Sequence, residues 1–512
     1  MSYIADNPSD YAPEQKRNYI EQKNRKSIVE QIKSNGFSEP LGDIPWIHHT
    51  SDNNGKIKTK VLCPALADYI RKNSHYIFAR NDAIGSVMRY LYLDGYYKHV
   101  SDEEMKGFIK QFIPLPYQKM SEITEVLQLL YTDPNFRCME ELNPENLINF
   151  ENGVLNTDTW ELEPHSPNYL CTIQIPCNYI PDVCPTITGY FDRFMTHLSN
   201  EDKEVEKLLL QFLGVCISNV PGYRMKKAMF MVGNGDTGKS TFKELAVRLV
   251  GERNSSAIDL QELENNKFGT SQLYNKRLAG ANDMSYATVS EMKILKLATG
   301  GDTLHAEFKG QNGFNFRFKG VLWFCCNEMP RFGGDRGQWV YDRLIIVTCN
   351  NPVIHKDKSL LEKMYSERDY IISRAIDGLK QVIQNGYEYN IPKCCAAKNS
   401  EYQVENNSFL RFVRECTIQR SEREPDRCTR AHIYKAYSAW CKTNNGGYAE
   451  PKKEAFAELE RRGITANKIG GDYYFPFTLS REIKKEYVNI CGFLGRIDEE
   501  QKEEIPFGAI GA

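Results

Sequence analysis

The chain has 512 residues, of which 41% are hydrophobic and 26% are charged, and its formal net charge is −2. This composition is typical of a globular protein, and the length suffices for about three domains. A nearly neutral chain has no overall positive electrostatic field that would attract nucleic acid. Binding to nucleic acid driven by global charge is therefore excluded, and any such contact must come from local basic patches.

The apolar runs are too short for a membrane span. None approaches 18 residues, and the longest, Leu208 to Ile217, is interrupted by Gln211 and Gly214 and favours a core helix. The first residues lack the basic-then-apolar pattern of a secretion signal, so we do not expect secretion. In a protein that is not secreted, 15 cysteines favour a reducing compartment. We therefore expect a cytoplasmic protein without membrane contact.

The first part of the chain predicts a polar arm and a helical domain. Residues 1–60 are rich in charged and turn-forming residues, which indicates a helix plus a loose arm. From 61 to 217 the pattern is mostly helical, as in Val87 to Leu93 and Ile123 to Leu130. An Asn152-Gly153 turn between apolar residues interrupts it.

A complete phosphate-binding motif, G-x-x-x-x-G-K-S, runs from Gly233 to Ser240. Ala228 to Val232 before it is typical of a buried strand, and Thr241 to Val250 after it has apolar residues at helical spacing. Glycines let backbone N–H groups turn toward phosphates, and the helix N-terminus adds the positive end of its dipole. The predicted nucleotide-binding residues are Gly233, Gly235, Gly238, Lys239, Ser240 and Thr241.

Two side chains of this loop have predicted chemical roles. Lys239 would bridge the β- and γ-phosphates of ATP, and the Ser240 hydroxyl would bind Mg²⁺. The alternative is a glycine-rich turn that matches the motif by accident. The flanking strand and helix disfavour it.

Three polar residues lie at the ends of later apolar runs. Asp283 follows Arg277 to Ala281, where a carboxylate would serve the metal and the attacking water, although Asp also occurs there as a cap or turn residue. Asn327 follows Val321 to Cys326 and would polarise the water, although Asn also ends strands for local reasons. Arg343 would reach a neighbouring subunit's phosphate as an arginine finger, unless it only forms a surface ion pair.

Between these elements, Thr303 to Phe308 and Phe314 to Lys319 predict a β-hairpin with Lys309 near its tip. In a ring, such tips would line the pore, and Lys309 would contact a phosphate of a threaded single strand. Outside a ring, an ordinary surface lysine is the better interpretation.

The C-terminal part predicts a small basic domain. Ile433 to Lys442 is an amphipathic helix, Pro451 to Arg462 is a second one that ends at Gly463, and a strand pair surrounds Gly470-Gly471. Helix, helix and hairpin in this order are typical of a winged helix. Between 430 and 487, 11 basic residues against 7 acidic ones favour DNA binding over an ordinary solvated helix face. The predicted DNA contacts are Lys452, Lys453, Arg461, Arg462 and Lys468.

The order of these motifs resembles superfamily 3 helicases, in particular the phage, plasmid and poxvirus-type primase–helicases. It comprises the phosphate loop, the acidic strand end, Thr299 to Asp302 with the hairpin after it, the strand that ends in Asn, and the Arg before an apolar strand. The likeness extends to Phe150 to Pro167, which looks like the helical domain before the motor of that group. It also extends to Phe409 to Phe412 and Ile433 to Cys441, which resemble its winged helix. Together the likeness covers roughly 80–490.

The resemblance implies an AAA+-like ring, usually hexameric, that couples ATP hydrolysis to 3′ to 5′ movement on single-stranded DNA and unwinds duplex DNA at an origin. By position it assigns the acidic role to Asp283, the sensor to Asn327, the finger to Arg343 and the hairpin contact to Lys309. Asn282 departs from the family's Glu or paired acids, which leaves the general base open. The arm of about 60 residues is too short for a primase, so we expect that half to be absent.

The expected fold class is α/β, with an AAA+-like phosphate-loop core, an N-terminal helical domain and a C-terminal winged helix. The expected domains are the arm (1–60), a helical collar for oligomerisation (61–217), the ATPase domain (218–390), the winged helix (405–490) and a tail (491–512). The expected function is an ATP-dependent DNA helicase that initiates replication of a phage or mobile element. Its cofactors would be ATP and Mg²⁺, and its partners single-stranded DNA, origin duplex DNA and further copies of the chain. Two alternatives stay open: an ATPase that moves DNA or loads clamps without unwinding, and an origin-binding protein that uses ATP only to assemble.

Overall fold

The computed structural model describes most of the chain. The described residues are 44–51, 57–81, 86–132, 136–183, 189–284, 288–289, 291–310, 312–332, 338–419, 428–444 and 448–486. Most of the predicted arm, 1–43 and 52–56, and the whole predicted tail, 491–512, lie outside these residues.

The N-terminal part contains a short hairpin, a four-stranded sheet and three helices that share an apolar cluster with the sheet. Its elements are β1 (Ile47–Ser51), β2 (Ile57–Val61), α1 (Cys63–Asn73), β3 (Tyr76–Asn81), β4 (Ser86–Leu93), β5 (Tyr96–Val100), α2 (Asp102–Lys110), α3 (Met120–Tyr131) and β6 (Phe136–Cys138). The sheet order is β5-β4-β3-β6, and only the β3–β6 pair is parallel.

The prediction of a helix at Val87 to Leu93 is wrong, because these residues lie in strand β4. Leu91 and Leu93 pack in the cluster with the helices, whereas Tyr90 packs in a second cluster. A strand that is covered on both faces has no polar alternation, so its sequence does not distinguish it from a buried helix segment. The predicted helix from Ile123 to Leu130 is confirmed within α3.

A second, antiparallel sheet follows, so the predicted helical domain is in fact mixed α/β. Phe150 to Pro167, which was expected to belong to a helical domain, contains strands instead. The elements up to residue 217 are β7 (Leu147–Phe150), β8 (Gly153–Asn156), β9 (Glu161–Glu163), α4 (Tyr190–Leu198) and α5 (Lys203–Ile217). Asn152 and Gly153 lie at the β7–β8 turn, as predicted.

A five-stranded parallel sheet forms the centre of the molecule. The elements of this part are β10 (Ala228–Val232), α6 (Lys239–Val250), β11 (Ser255–Ser256), α7 (Leu260–Asn265), β12 (Leu278–Ala279), β13 (Thr288–Val289), α8 (Lys293–Gly300), β14 (Thr303–Ala306), β15 (Phe314–Arg317), β16 (Val321–Cys326), β17 (Arg331–Phe332), α9 (Gln338–Tyr341), β18 (Leu344–Thr348), α10 (Leu360–Tyr365) and α11 (Arg368–Gln384). The strand order is β11-β12-β16-β10-β18. The structure is therefore mixed α/β with a parallel sheet, as the sequence predicts.

Side chains of the central strands alternate between two apolar clusters. Met229 and Trp323 belong to the cluster that contains residues of α4, α5, α6 and α11. Phe230 and Phe324 belong to the other cluster, with residues of α7, α8 and the β14–β15 hairpin. Because both faces are covered, these strands are continuous apolar runs in the sequence.

The C-terminal part has its own apolar cluster. Its elements are α12 (Lys393–Asn406), α13 (Ser408–Cys416), β19 (Thr417–Gln419), α14 (Arg430–Asn444), α15 (Lys452–Arg461), β20 (Asn467–Ile469), β21 (Asp472–Tyr474), β22 (Phe477–Leu479) and α16 (Arg481–Glu486). Gly470 and Gly471, at φ 59° and 100°, form the β20–β21 turn. Across the described residues, no helix combines the length and apolar character needed to cross a bilayer.

Candidate functional site

The phosphate loop joins β10 to α6, and two of its glycines occupy positions where a side chain does not fit. Gly233 has φ 154°, and a Cβ there would lie 2.1 Å from the carbonyl oxygen of Cys349. Gly238 has φ 94°, and a Cβ there would lie 3.0 Å from the ring of Phe194. Gly235 has open space around it. The loop is therefore confined between the segment after β18 and helix α4.

Lys239 is the first residue of α6, and its side chain folds back onto the loop. Its Nζ donates to the carbonyl oxygens of Gly233 at 2.6 Å and Asn234 at 2.7 Å, and to Thr237 Oγ1 at 3.2 Å. The residue is 6% exposed. All three acceptors are neutral, so they leave the positive charge uncompensated. Together with the helix N-terminus, this charge suits the binding of phosphates.

Ser240 and Asp283 come together at the carboxyl edge of the sheet. The Ser240 hydroxyl donates to the backbone oxygen of Asn282 at 3.0 Å. On the other side, the backbone N–H of Met284 donates to the carbonyl oxygen of Cys325 in β16 at 2.8 Å. Asp283 lies between these two anchors and is exposed. A hydroxyl and a carboxylate are oxygen ligands of the kind that Mg²⁺ prefers, so these residues fit that ion.

Asn327 directly follows β16 and lines a cavity of about 530 Å³ together with Gly233 of the phosphate loop. Pockets of this size commonly hold small molecules. Three cations outside the predicted set also line the cavity: Arg331, Lys398 and Arg411. Lys398 and Arg411 belong to α12 and α13, which follow the central sheet by some 50 residues or more, so no local motif identifies them.

Arg343 lies at the opposite end of the sheet from the phosphate loop. Leu344 pairs with Ala228 where the two parallel strands begin, whereas the loop follows Val232 where β10 ends. At roughly 3.3 Å per residue, the length of β10 separates the two ends by about 16 Å. Arg343 instead donates to the backbone oxygen of Trp339 at 2.7 Å and lies over its ring. It is therefore remote from the phosphate loop of its own chain.

The predicted hairpin is confirmed as β14 and β15, and Lys309 lies in the turn between them. Leu304 and Phe314 are buried on the inner face of the hairpin, where they anchor it to the core. Lys309 is exposed, and Gly310 next to it has φ 78°. The hairpin thus holds its lysine away from the core, in contact with solvent.

The five predicted DNA-binding residues of the C-terminal part differ in their surroundings. Glu458 pairs with Arg461 at 2.9 Å and with Arg462 at 3.2 Å. The side chain of Arg462 is only 11% exposed. The other three are exposed on α15 and β20: Lys452, Lys453 and Lys468. Among the five predicted residues, the exposed positive charge outside the Glu458 ion pairs thus lies on these three lysines.

Lys243 is a buried polar residue of the site that is absent from the predicted set. It lies four residues after Lys239 on α6, on the same stripe as the buried residues Phe242 and Ala246. Its Nζ donates to the carbonyl oxygen of Gly280, and burial lowers the pKa of this lysine to about 8. The spacing of three and four residues predicts that position 243 is buried, and this was the signal available in the sequence.

Two protein-family models match separate parts of the chain. The one described as "D5 N terminal like" matches residues 62–199. The one described as "Family of unknown function (DUF5906)" matches residues 231–343. The second match contains the phosphate loop, Asp283, Asn327 and Arg343, and neither match reaches half of the chain.

Two curated proteins are similar to parts of the chain. "Putative helicase L207/L206" of Acanthamoeba polyphaga mimivirus is 23% identical over 404 residues, which are 72% of this chain and 40% of the viral protein. The chain thus spans about two fifths of the length of that relative. "Uncharacterized mitochondrial protein ymf21" of Marchantia polymorpha is 27% identical over 162 residues, which are 29% of this chain and 86% of that protein.

Solved structures of the "NrS-1 C terminal region" in apo form have a TM-score of 0.43 and 11% sequence identity to this chain. Two of them cover 80% of it and 98% and 97% of their own chains. At this score the similarity does not bear on the site. The D5 N terminal like match and the viral relative indicate a distant similarity to viral helicase-like proteins, without singling out superfamily 3.

Proposed function

We propose that the chain is an ATP-dependent DNA helicase that acts in the replication of a phage or another mobile element. The observation that carries the proposal is the phosphate loop, with the ammonium of Lys239 inside it and Ser240 joined to the segment of Asp283. The D5 N terminal like match and the name of the mimivirus relative support the helicase class over other phosphate-loop proteins.

The site residues have separate tasks in ATP hydrolysis. Lys239 would contact the β- and γ-phosphates and stabilise the charge that develops on them. Ser240 and Asp283 would hold Mg²⁺, which would neutralise phosphate charge when bound. Asn327 would orient the attacking water from the end of β16. The adjacent cavity is lined by three cations and by the carboxylates of Glu328 and Glu405, so it would add only a small net positive charge near the triphosphate.

We infer that the active form is a ring in which each ATP lies between two copies of the chain. Arg343 is too far from the phosphate loop of its own chain to contact a nucleotide there, so a role as arginine finger would require a neighbouring copy. A hexameric ring and 3′ to 5′ movement on single-stranded DNA complete the proposal, on the basis of the resemblance to superfamily 3 helicases.

Two surfaces are proposed to bind DNA. Lys309 at the hairpin tip would contact the single strand in the pore of the ring. The C-terminal part, with helix α13, strand β19, helices α14 and α15 and hairpin β20–β21 in this order, would act as a winged helix on origin duplex DNA. Exposed lysines of α15 and β20 would contact the phosphates of the duplex. Arg461 and Arg462 would contribute less to DNA binding, because both are paired with Glu458.

A Lys239→Ala variant tests the proposal. We expect it to lose ATP hydrolysis and unwinding, because the ammonium of Lys239 lies against the backbone oxygens of the loop, whereas Lys356, which also reaches the loop, is paired with the side chain of Asp236. Lys393→Ala is the matched control, since Lys393 is an exposed lysine at the start of α12. The measurements are steady-state ATPase activity with and without single-stranded DNA, and strand separation of a forked duplex. Unwinding by the Lys239→Ala variant would overturn the motor assignment.

A second candidate is an origin-binding protein that uses ATP only to assemble. It is favoured by Asn282, an amide where the helicase family has an acid, with its Nδ2 3.4 Å from Glu244 Oε2. The same measurements separate the two functions. Nucleotide-dependent assembly of the unmodified chain without turnover would favour the second candidate, and turnover stimulated by DNA without strand separation would indicate a translocating ATPase.

A further inference from the structure

Lys243 is the most deeply buried lysine of the described chain, and it lies behind the phosphate loop in helix α6. The residue is 1% exposed on helix α6, four residues after Lys239. Its ammonium donates to the carbonyl oxygen of Gly280. Among the described residues, no carboxylate lies within ion-pair distance of it. Lys243 is thus a buried cation whose described hydrogen bond goes to a neutral backbone oxygen.

A buried ammonium without a counter-ion is unfavourable for folding, because the charge loses its hydration and gains no equivalent partner. The surroundings are consistent with this cost, since burial lowers the pKa of Lys243 to about 8. An apolar side chain of similar length would fill the same space without the loss of hydration. Packing alone therefore does not explain a lysine at this position.

The hydrogen bond of Lys243 goes to the segment that carries Asp283. Gly280 is the first residue after β12, and its backbone is constrained, because a Cβ there would lie 2.1 Å from the carbonyl oxygen of Trp323. Two residues later, Asn282 accepts the hydrogen bond from Ser240. Helix α6 thus holds the segment 280–283 at two points, and both holding side chains come from the first five residues of the helix.

We propose that Lys243 is a positioning residue that fixes the segment 280–283 against helix α6, and so sets the Asp283 carboxylate relative to the phosphate loop. The inference rests on the proposed ATPase function. Because the phosphates would contact the loop and not this segment, loss of the anchor affects turnover and the use of Mg²⁺ more than nucleotide binding. At 1% exposure, Lys243 would touch neither the nucleotide nor the metal.

The test is Lys243→Met, which keeps the length of the side chain and removes the donor, with Lys243→Gln as a variant that retains a neutral donor. We expect Lys243→Met to fold with a melting temperature close to that of the unmodified chain and to bind ADP without Mg²⁺ within about twofold. Its kcat should fall at least about tenfold, equivalent to about 1.4 kcal/mol in activation free energy. The Mg²⁺ concentration at which this variant reaches half of its maximal ATPase activity should rise. Lys243→Gln should recover part of kcat.

Arg277→Lys is the matched control at the other end of the same strand. Arg277 is also a buried cation bound to backbone oxygens, those of Lys319 at 2.7 Å and Val220 at 2.9 Å. We expect this variant to melt at a lower temperature with kcat per folded molecule unchanged, because these contacts lie before the start of β12, whereas Asp283 follows its end.

Several outcomes would overturn the inference. An unchanged kcat and Mg²⁺ requirement in Lys243→Met would show that the anchor has no catalytic consequence. A parallel loss of melting temperature, ADP binding and kcat in both Lys243 variants would show that the lysine is only structural. A chain without ATPase activity before any substitution would overturn the proposed function as well, and this result is distinguishable from the other two.

Discussion

At the residue scale, the glycines of the phosphate loop are not equivalent. Gly233→Ala would place a Cβ 2.1 Å from the carbonyl oxygen of Cys349, at a backbone angle that L residues rarely adopt. We expect this variant to lose about 2 kcal/mol or more of unfolding free energy and to lose nucleotide binding. Urea unfolding and a nucleotide titration measure the two effects.

Gly235→Ala is the control for this prediction, because the position has open space and no such backbone angle. Its unfolding free energy should stay within about 0.5 kcal/mol of that of the unmodified chain. Equal destabilisation by the two substitutions would show that the contact between the loop and Cys349 does not restrict position 233.

Site residues were predictable where a short motif encodes them and unpredictable where distant segments meet. The phosphate loop is contiguous, so its spacing alone identifies Lys239 and Ser240. Lys243 and Arg411 belong to the site because of contacts with residues far along the chain, Gly280 in the first case and the cavity beside Gly233 in the second. No spacing rule relates such pairs before the fold is known.

At the element scale, the β14–β15 hairpin allows a test of DNA coupling. We expect Lys309→Ala to leave ATPase activity without DNA nearly unchanged and to reduce its stimulation by single-stranded DNA several-fold, because a pore lysine contacts phosphates of the strand and not the nucleotide. The measurement is ATPase activity against the concentration of single-stranded DNA at low and moderate salt.

Lys267→Ala is the control for Lys309→Ala. Lys267 is exposed near the same hairpin, but its ammonium pairs with Glu307 at 2.7 Å. The Lys267→Ala variant should therefore retain the stimulation of its ATPase activity by single-stranded DNA. Loss of ATPase activity without DNA in the Lys309→Ala variant would instead show that the turn supports the fold or the nucleotide site.

Elements were predictable where the sequence marks their ends. Helix α15 follows Pro451 and ends before Gly463, at φ 77°, and Gly470-Gly471 marks the turn of the next hairpin. Strand β4 was not recognised from its sequence. Because both of its faces are buried, its sequence lacks the alternation of polar and apolar residues that distinguishes a strand from a helix. The N-terminal domain was therefore the least predictable part of the fold.

At the scale of the whole molecule, helix α12 connects the central sheet to the C-terminal part. Tyr402 packs in the cluster of the sheet, whereas Val404 packs in the C-terminal cluster, so the predicted boundary at 405 falls within one continuous helix. Asn406 at its end accepts from the backbone N–H of Phe332 at 2.9 Å. The C-terminal part is thus joined through one continuous helix to the wall of the cavity beside the phosphate loop.

Arg343→Ala mixed with Lys239→Ala tests the ring directly. Each variant alone should be inactive, because one lacks the finger and the other lacks the loop lysine. In mixed rings, some interfaces would combine an intact loop with an intact Arg343 from the neighbour, and these should recover part of the activity. The recovery should be detectable, because an arginine finger contributes on the order of 10³-fold or more to turnover. The measurement is ATPase activity across mixing ratios at constant total protein.

The double variant Lys239→Ala, Arg343→Ala is the control partner for this mixture. Mixed with Lys239→Ala it supplies no intact loop, so it should recover nothing. Mixed with Arg343→Ala it supplies neither a loop nor a finger, so activity should stay at the level of Arg343→Ala alone. Because Arg343 also bonds to Trp339, melting curves of each variant are needed to establish that it folds. Folded variants that recover no activity at any ratio would limit Arg343 to the anchoring of β18, since it is remote from the phosphate loop of its own chain. The shared site and the ring would then both have to be withdrawn.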